Sequence, residues 1–287
     1  MELTHTARRE GRLSSFLKEE MRMSTGLMNR LKWNGRLFVN GVARHTDYAV
    51  QPGDMITAVL DEEAPQYPAE DAQLTVLYED DHILAVDKPA GMLIHPSHAT
   101  MEGTLANRVI GYYRKTGQSS AFHPVTRLDR DTFGVVLLAK NAYVHALLNQ
   151  MHKDGKIQKT YHALVLGGPG ADSGIIDAPI TRRPLPSLLR YVDREGKPSV
   201  TEYTVLERRE RICLLELRPV TGRTHQLRVH CAHMGFPILG DPQYGSETAK
   251  SFANTQQLCA RQLEFVHPIT GETMCLVSGM TVEARTI

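Results

Sequence analysis

The side chains that could do chemistry gather in three short segments. The densest is Arg127-Leu128-Asp129-Arg130-Asp131-Thr132, which runs directly into the apolar stretch GVVLLAK. Charged residues on a loop that enters an apolar strand place carboxylates at the edge of a core, where loops commonly carry function. A carboxylate between cations stays ionised, because a nearby positive charge favours the charged form. Asp129, flanked by Arg127 and Arg130, therefore suits a nucleophile or an electrostatic stabiliser better than a carboxylic acid kept protonated. The same residues could equally form a structural Arg–Asp clamp at the strand entrance.

The second segment is Thr221-Gly222-Arg223-Thr224-His225-Gln226-Leu227-Arg228-Val229-His230. Gly222 offers a turn, Thr224 a helix cap, and Leu227, Cys231 and Met234 a buried stripe at helical spacing. Arg223 and Arg228 then project near the helix start, where they can pair bidentately with a carboxylate or phosphate. His225, His230 and His233 match no common zinc spacing and no carboxylate accompanies them, so they read as hydrogen-bonded histidines and no metal is expected. In the third segment, Lys159-Thr160-Tyr161-His162-Ala163, Tyr161 opens a strand and by itself reads as half-buried packing. Pro89-Ala90-Gly91 and His95-Pro96 mark an irregular rim loop. No GxGxxG, P-loop or GxSxG motif is present, so nucleotide-cofactor, phosphoryl-transfer and serine-hydrolase readings have no motif behind them.

The elements that must position these residues fall into two groups. Residues 61–72, DEEAPQYPAEDA, combine acids and prolines with no apolar period and predict a linker. Before it, Leu13, Phe16 and Leu17, then Leu27, Met28 and Leu31, fall at helical spacing. RLFVNG and DMITAVL follow as strands, with turns at Asn40-Gly41 and Pro52-Gly53-Asp54. The spacing thus predicts two helices and then a small hairpin-rich sheet. After the linker, LTVLYE, HILAVDK, GVVLLAK, TYHALVLG, SVTEYTVLER, ICLLELR, QLEFV and TMCLVS predict strands, and residues 141–153 a helix. Many strands and few helices favour an antiparallel or mixed sheet with flanking helices over βαβ repetition.

Composition narrows the classes further. With 287 residues, 41% hydrophobic and 23% charged, the chain is long enough for a real core and is not mostly disordered. No apolar run approaches a membrane span, and the first thirty residues lack the apolar core of a signal peptide, so a cytoplasmic protein is expected. Cys213, Cys231, Cys259 and Cys275 stand apart without CxxC spacing, which indicates neither a disulfide framework nor a zinc ribbon. Net charge is only +1, but residues 1–60 hold nine Lys/Arg against six acids and residues 180–230 hold eleven against six. Two basic regions about an acidic strip fit a nucleic-acid binder with a directed surface. A solvated surface of mixed charge would look similar.

Taken together, PVTRLDRDTFGVVLLAKN, the upstream DKPAGMLIHP and the downstream KTYHALV and TGRTHQLRVH resemble the RluA-like family of pseudouridine synthases. The resemblance runs from about residue 74 to the C-terminus and includes ILGDPQYG at 238–245 and ARQLEFVHPITGE at 260–272. Residues 1–60 resemble, through GRLSSFL, VNG and the PGD turn, a small RNA-binding domain first described in a small-subunit ribosomal protein. The family resemblance implies that Asp129 is the essential aspartate that serves in breaking the uracil N-glycosidic bond and re-forming it at C5. It implies that Arg127 occupies the space of the flipped uridine, that Tyr161 stacks near the target base, and that Arg228 pairs with the aspartate. Arg223 and His225 lie in the same motif, their roles open. Thr126 stands where members often have His, and Phe133 where they often have Ser, which bears on local packing or substrate preference.

The sequence thus predicts an α+β protein. A small α/β-hairpin RNA-binding domain at 1–60 and a linker at 61–72 precede a catalytic domain at 73–287 built on a mixed, largely antiparallel sheet with flanking helices. The implied activity is isomerisation of uridine to pseudouridine in structured RNA, ribosomal RNA being favoured over transfer RNA. No cofactor or membrane is expected, and the chain is read as a monomer. Asp129, Arg228 and Tyr161 are the catalytic candidates; Arg127, Arg223, Arg12, Arg30 and Lys32 are the candidates for RNA contact. The alternatives are a non-catalytic RNA-binding protein and a carboxylate-dependent glycosidase with Asp131 as the second acid.

Overall fold

The structure, a computed structural model, describes residues 1–60, 67–97, 100–184, 187 and 189–283. The N-terminal unit runs through β1 (Glu2–Thr6), β2 (Gly11–Arg12), α1 (Leu13–Ser15), α2 (Thr25–Trp33), β3 (Leu37–Val39), β4 (Val42–Ala43), β5 (Ala49–Val50) and β6 (Met55–Val59). A π-helical turn, Phe16–Glu20, prolongs α1. The apolar residues that predict the two helices are all buried. Asn40 and Gly41 take φ of 51° and 78°, the left-handed pair that closes a two-residue hairpin between β3 and β4. Two strands, β1 and β2, precede the helices, contrary to the predicted order. β1 pairs antiparallel with β6, and its segment ELTHT has too little apolar alternation to announce a strand.

Beyond residue 73 come β7 (Thr75–Glu79), β8 (Ile83–Lys88), α3 (Leu105–Lys115), β9 (His123–Pro124), β10 (Phe133–Ala139), α4 (Ala142–Lys153) and β11 (Gln158–Leu166). The chain continues through β12 (Ser173–Asp177), β13 (Ile180–Arg182), β14 (Arg190–Val192), β15 (Val200–Arg208), β16 (Ile212–Pro219), α5 (Gln226–His233), α6 (Glu247–Ser251), β17 (Leu258–Val266) and β18 (Thr273–Val277). One ten-stranded sheet follows the order β12-β15-β16-β11-β17-β10-β8-β7, with β18 beside β17 and β9 beside β10. Among the described residues its pairings are antiparallel except β10 with β17, which run parallel at Phe133 and Gly134. The architecture is α+β with a mixed, largely antiparallel sheet, as the strand patterns predict.

The apolar run of β10 explains its central place. All seven of its residues are buried, and a strand covered on both faces needs no polar alternation. Val135, Leu137 and Ala139 join one core; Val136 and Leu138 join another, closed by α3. That helix was not predicted. Its Leu105, Val109, Ile110 and Tyr113 face the core, and Thr104 and Asn107 form a capping box. This was a legible start signal.

The two units share a core. Leu13, Phe16, Leu17 and Leu31 belong to one contiguous apolar cluster with Ile83, Ala85, Val144 and Leu148, and the buried hydroxyl of Tyr143 donates to the carbonyl of Met21 at 2.9 Å. Of the strip read as a linker, residues 61–66 lie outside the described residues. Residues 67–72 lie against α3: Asn107 Nδ2 donates to Pro68 O at 3.0 Å, and Glu70 N donates to Asn107 O. Acids and prolines here mark an irregular strap, because backbone bonds to a helix do not require apolar side chains. Among the described residues no helix is long and apolar enough to cross a membrane.

Candidate active site

The loop ahead of β10 is tied down on both sides of Asp129. On one side, Thr126 Oγ1 accepts from Leu137 N at 3.0 Å. On the other, Gln256 Nε2 donates to Thr132 Oγ1 at 2.7 Å. Between them, the fully buried ammonium of Lys88 donates to the carbonyls of Pro89, Met92 and Arg130, each at 2.9 Å. Burial lowers the Lys88 pKa to about 8, against the opposing pull of Asp131 and Asp129. Gly134, with φ +113°, lies in the parallel junction opposite Ala260, and a Cβ there would strike the backbone of that residue. The loop's last turn is thereby pressed against β17.

Arg228 reaches Asp129 from α5. Its Nη1 donates to Asp129 Oδ2 at 3.0 Å. Behind it, Nε and Nη2 donate to the two oxygens of Asp241 at 2.7 and 2.9 Å, and Nη2 also reaches Gln243 Oε1 at 2.9 Å. Asp241 is fully buried and accepts the backbone N–H of Gln243 and Tyr244 as well. Burial alone would push the Arg228 pKa down, but Asp241 and then Asp129 outweigh it and raise it. Burial likewise works against the Asp241 carboxylate, and Arg228 with the two backbone N–H groups holds its pKa below the ordinary value. Two carboxylates therefore share one guanidinium, with the Tyr244 ring 4.9 Å from the guanidinium carbon.

His225 begins α5 in a left-handed conformation, φ 58°. Its Nδ1 lies 2.8 Å from the Tyr244 hydroxyl, which accepts from Arg190 N at 2.9 Å. On the other side of the ring, Nε2 lies 3.8 Å from Asp129 Oδ2. Burial lowers the His225 pKa, with Asp129 opposing. Tyr161 lies on β11, between Ala260 of β17 and Leu217 of β16, directly after a register shift. Such bulges re-aim side chains. Burial first, then the charge of Asp129, raises its phenol pKa.

Asp129, Arg228 and His225 therefore meet, with Tyr161 within electrostatic reach of Asp129, while other expectations change. Arg130 turns to Asp131 at 3.1 Å and Arg127 is exposed, so the close counter-charge to Asp129 is Arg228 and not the sequence neighbours. Arg223 Nε donates to Pro198 O at 3.1 Å, not to a carboxylate. Thr224 is not the helix cap, since His225 holds that place, and Met234 is 47% exposed rather than part of the buried stripe. His230 is a satisfied buried histidine, its nitrogens 2.9 Å from Thr201 Oγ1 and Ala178 O. Arg12, Arg30 and Lys32 lie on the N-terminal unit, outside this cluster. Lys88, Asp241, Gln243 and Tyr244 were not singled out from sequence. The available signals were a lysine ending an apolar strand and the Gly-Asp-Pro turn within ILGDPQYG.

This fold and cluster define a class, the isomerases of uridine in RNA. The solved structure "Human RNA Pseudouridylate Synthase Domain Containing 1" superposes with a TM-score of 0.62 at 25% identity, covering 75% of this chain and 86% of that one. Residues 82–233 match the RNA pseudouridylate synthase family. The uncharacterized RNA pseudouridine synthase YlyB of Bacillus subtilis is 41% identical over 244 residues, 83% of this chain and 80% of that protein. Ribosomal large subunit pseudouridine synthase D of Pseudomonas aeruginosa is 35% identical over 255 residues, 84% and 79% of the two chains. The chain belongs to the RNA pseudouridylate synthase family and is an RNA pseudouridine synthase. The family match begins at residue 82 and leaves the N-terminal unit aside.

Proposed function

We propose that the chain converts particular uridines of ribosomal RNA to pseudouridine in the cytoplasm, as a single chain, with Asp129 as the group that acts on the glycosidic bond. The observation that carries this is the 3.0 Å pairing of Arg228 with Asp129, backed by the buried Asp241. The ribosomal substrate is supported by the name of the Pseudomonas relative.

The reaction is balanced without a co-reactant. The bond from N1 to C1′ breaks, the uracil turns, C5 bonds to C1′, and the proton lost from C5 is balanced by one gained at N1. Asp129 supplies a fixed anion beside the sugar and base. Arg228 positions it through one donor while Asp241 and Gln243 take the others. The target base must leave its stack, at a cost of a few kcal/mol. Arg127, exposed at the rim, fills the space it vacates, and Tyr161 lies against the base within the site. Arg223 adds a cation at the rim. The N-terminal unit holds RNA at a distance from the chemistry, through Arg12, Arg30 and Lys32, as phosphate contacts do.

The test is purified protein incubated separately with ribosomal RNA and transfer RNA transcripts, followed by mapping of pseudouridine. Product at discrete ribosomal RNA positions is expected. Product only in transfer RNA would overturn the substrate, and free uracil would overturn the chemistry.

A further inference from the structure

Among the described residues, three other than glycine take a positive φ: Arg22, Asn40 and His225. Asn40 closes a hairpin, which accounts for it. His225 lies in the site, at φ 58° on the threshold of α5. Asn and His enter this region more readily than most residues, and backbone strain of this kind gathers where a side chain must be aimed. Here the side chain aimed is an imidazole.

The ring is gripped on one edge and open on the other. Nδ1 lies 2.8 Å from the Tyr244 hydroxyl, which is itself fixed by Arg190 N at 2.9 Å. The Tyr244 ring also meets the imidazole edge-on, with centroids 5.6 Å apart. Nε2 makes no hydrogen bond among the described residues, and the side chain is 16% exposed. Its near neighbour is Asp129 Oδ2, 3.8 Å away and too far to bond. An oxygen about 2.7 Å from that carboxylate can reach Nε2 as well, because the two atoms are so close together. Burial favours the neutral ring, Arg228 and Arg190 act in the same direction, and Asp129 and Asp241 oppose them.

With Asp129 acting on the glycosidic bond, the carbon beside it is C1′, whose neighbours are N1, the ring oxygen and C2′ with its hydroxyl. Within RNA the uracil carbonyls, the ring oxygen and the phosphates only accept hydrogen bonds, and N3–H only donates. The 2′-hydroxyl does both. It can donate to the carboxylate while accepting from Nε2–H, or donate to Nε2 where the ring proton is on Nδ1. A carbonyl oxygen in the same place would be repelled by the carboxylate. We propose that His225 Nε2 contacts the 2′-hydroxyl of the target uridine, so that the site tells ribose from deoxyribose at the nucleotide it isomerises. The proposal rests on the reading of Asp129 as the group beside the sugar. It goes beyond that reading in giving His225 a substrate atom and making Tyr244 the positioning residue that holds the ring.

The experiment uses the full chain and a synthetic stem-loop around a uridine that the protein has been mapped to modify. The stem-loop is made with ribose, or with a single 2′-deoxyribose at that uridine, and single-turnover rates on the two give a ribose-to-deoxyribose ratio. The hydroxyl also alters the glycosidic bond itself, but that effect is common to every variant and cancels when ratios are compared. His225→Asn keeps a residue suited to the positive φ and withdraws the ring. Its ratio should fall about tenfold below that of the wild type, the worth of one hydrogen bond, through slower reaction of the ribose substrate alone. Tyr244→Phe, which releases the ring at Nδ1, should lower the ratio in the same direction by less. A ratio equal to that of the wild type in either folded variant would overturn the contact. So would complete loss of activity on both substrates at an unchanged melting temperature, since loss of one hydroxyl contact leaves the chemistry in place. Product from Asp129→Asn would overturn the reading of Asp129 on its own account, so the two can fail separately.

Discussion

Arg228 is held more firmly from behind than from the front. Asp241 engages it through two bonds with no exposure to solvent, whereas Asp129 engages it through one bond at a partly open surface. Removing one partner of a buried ion pair typically costs about 3–5 kcal/mol, because the other charge is stranded. Arg228→Met should therefore lower stability by that order, read as the urea midpoint, as well as activity. An unchanged midpoint would show that Asp241 is not dependent on Arg228. Lys88 gives a second expectation, with a sign. Its folded pKa of about 8 lies below the ordinary lysine value of 10.5. Below pH 8 both states hold the proton and the buried charge weighs against the fold. Between those values the unfolded chain holds a proton that the folded chain has lost, so stability rises with pH by up to about 1.4 kcal/mol per unit. Comparing unfolding of the wild type and Lys88→Met from pH 7.5 to 10.5 isolates this slope. No difference in slope would mean Lys88 titrates normally. Asp129 was legible in sequence because charges crowd a loop before an apolar strand. Its counter-ion Arg228 was legible only through the family resemblance, since a pairing across 99 residues leaves no local trace.

At the scale of elements, the site is held where β10 meets β17 in parallel, and Gly134 permits that approach. Gly134→Ala places a side chain at φ +113° against the backbone of Ala260. Such backbone strain costs about 1–3 kcal/mol, and the shift should also move the Asp129 loop. A lowered melting temperature with a larger fractional loss of activity is expected; a variant equal to the wild type in both would remove the junction from the account. The individual strands were legible because long apolar or alternating runs lie between turn signals. Their order was not: β17 inserts between β10 and β11, and only tertiary packing decides that. The bulge before Tyr161 is likewise invisible, as it depends on the register with β17. β1 and α3 were missed because one apolar residue, or apolar residues interrupted by Arg108 and Gly111, blur the period.

For the whole molecule, the acidic proline-containing strip suggests a loose tether, yet the N-terminal unit and the catalytic sheet bury one continuous apolar cluster. Deleting residues 1–65 would uncover Ile83, Val135, Val144 and Leu148 and strip Tyr143 of its acceptor at Met21. Large exposed apolar patches promote association. The truncated protein should therefore aggregate or melt well below the full chain, as size-exclusion chromatography and thermal unfolding would show. A monodisperse fragment with the wild-type melting temperature would mean that the shared core contributes nothing. Composition reveals where a chain is irregular, but whether two units dock is a property of surfaces that meet only in the folded state.

The central claim is that Asp129 acts chemically, and Asp129→Asn tests it most directly. The substitution preserves shape, and Arg228 retains Asp241 and Gln243, so the fold has little reason to change. The measurement is pseudouridine formed per ribosomal RNA molecule by the purified variant, alongside its RNA affinity and melting temperature. The account predicts no detectable product, with affinity and melting temperature close to those of the wild type. Pseudouridine formed at near the wild-type rate would contradict it.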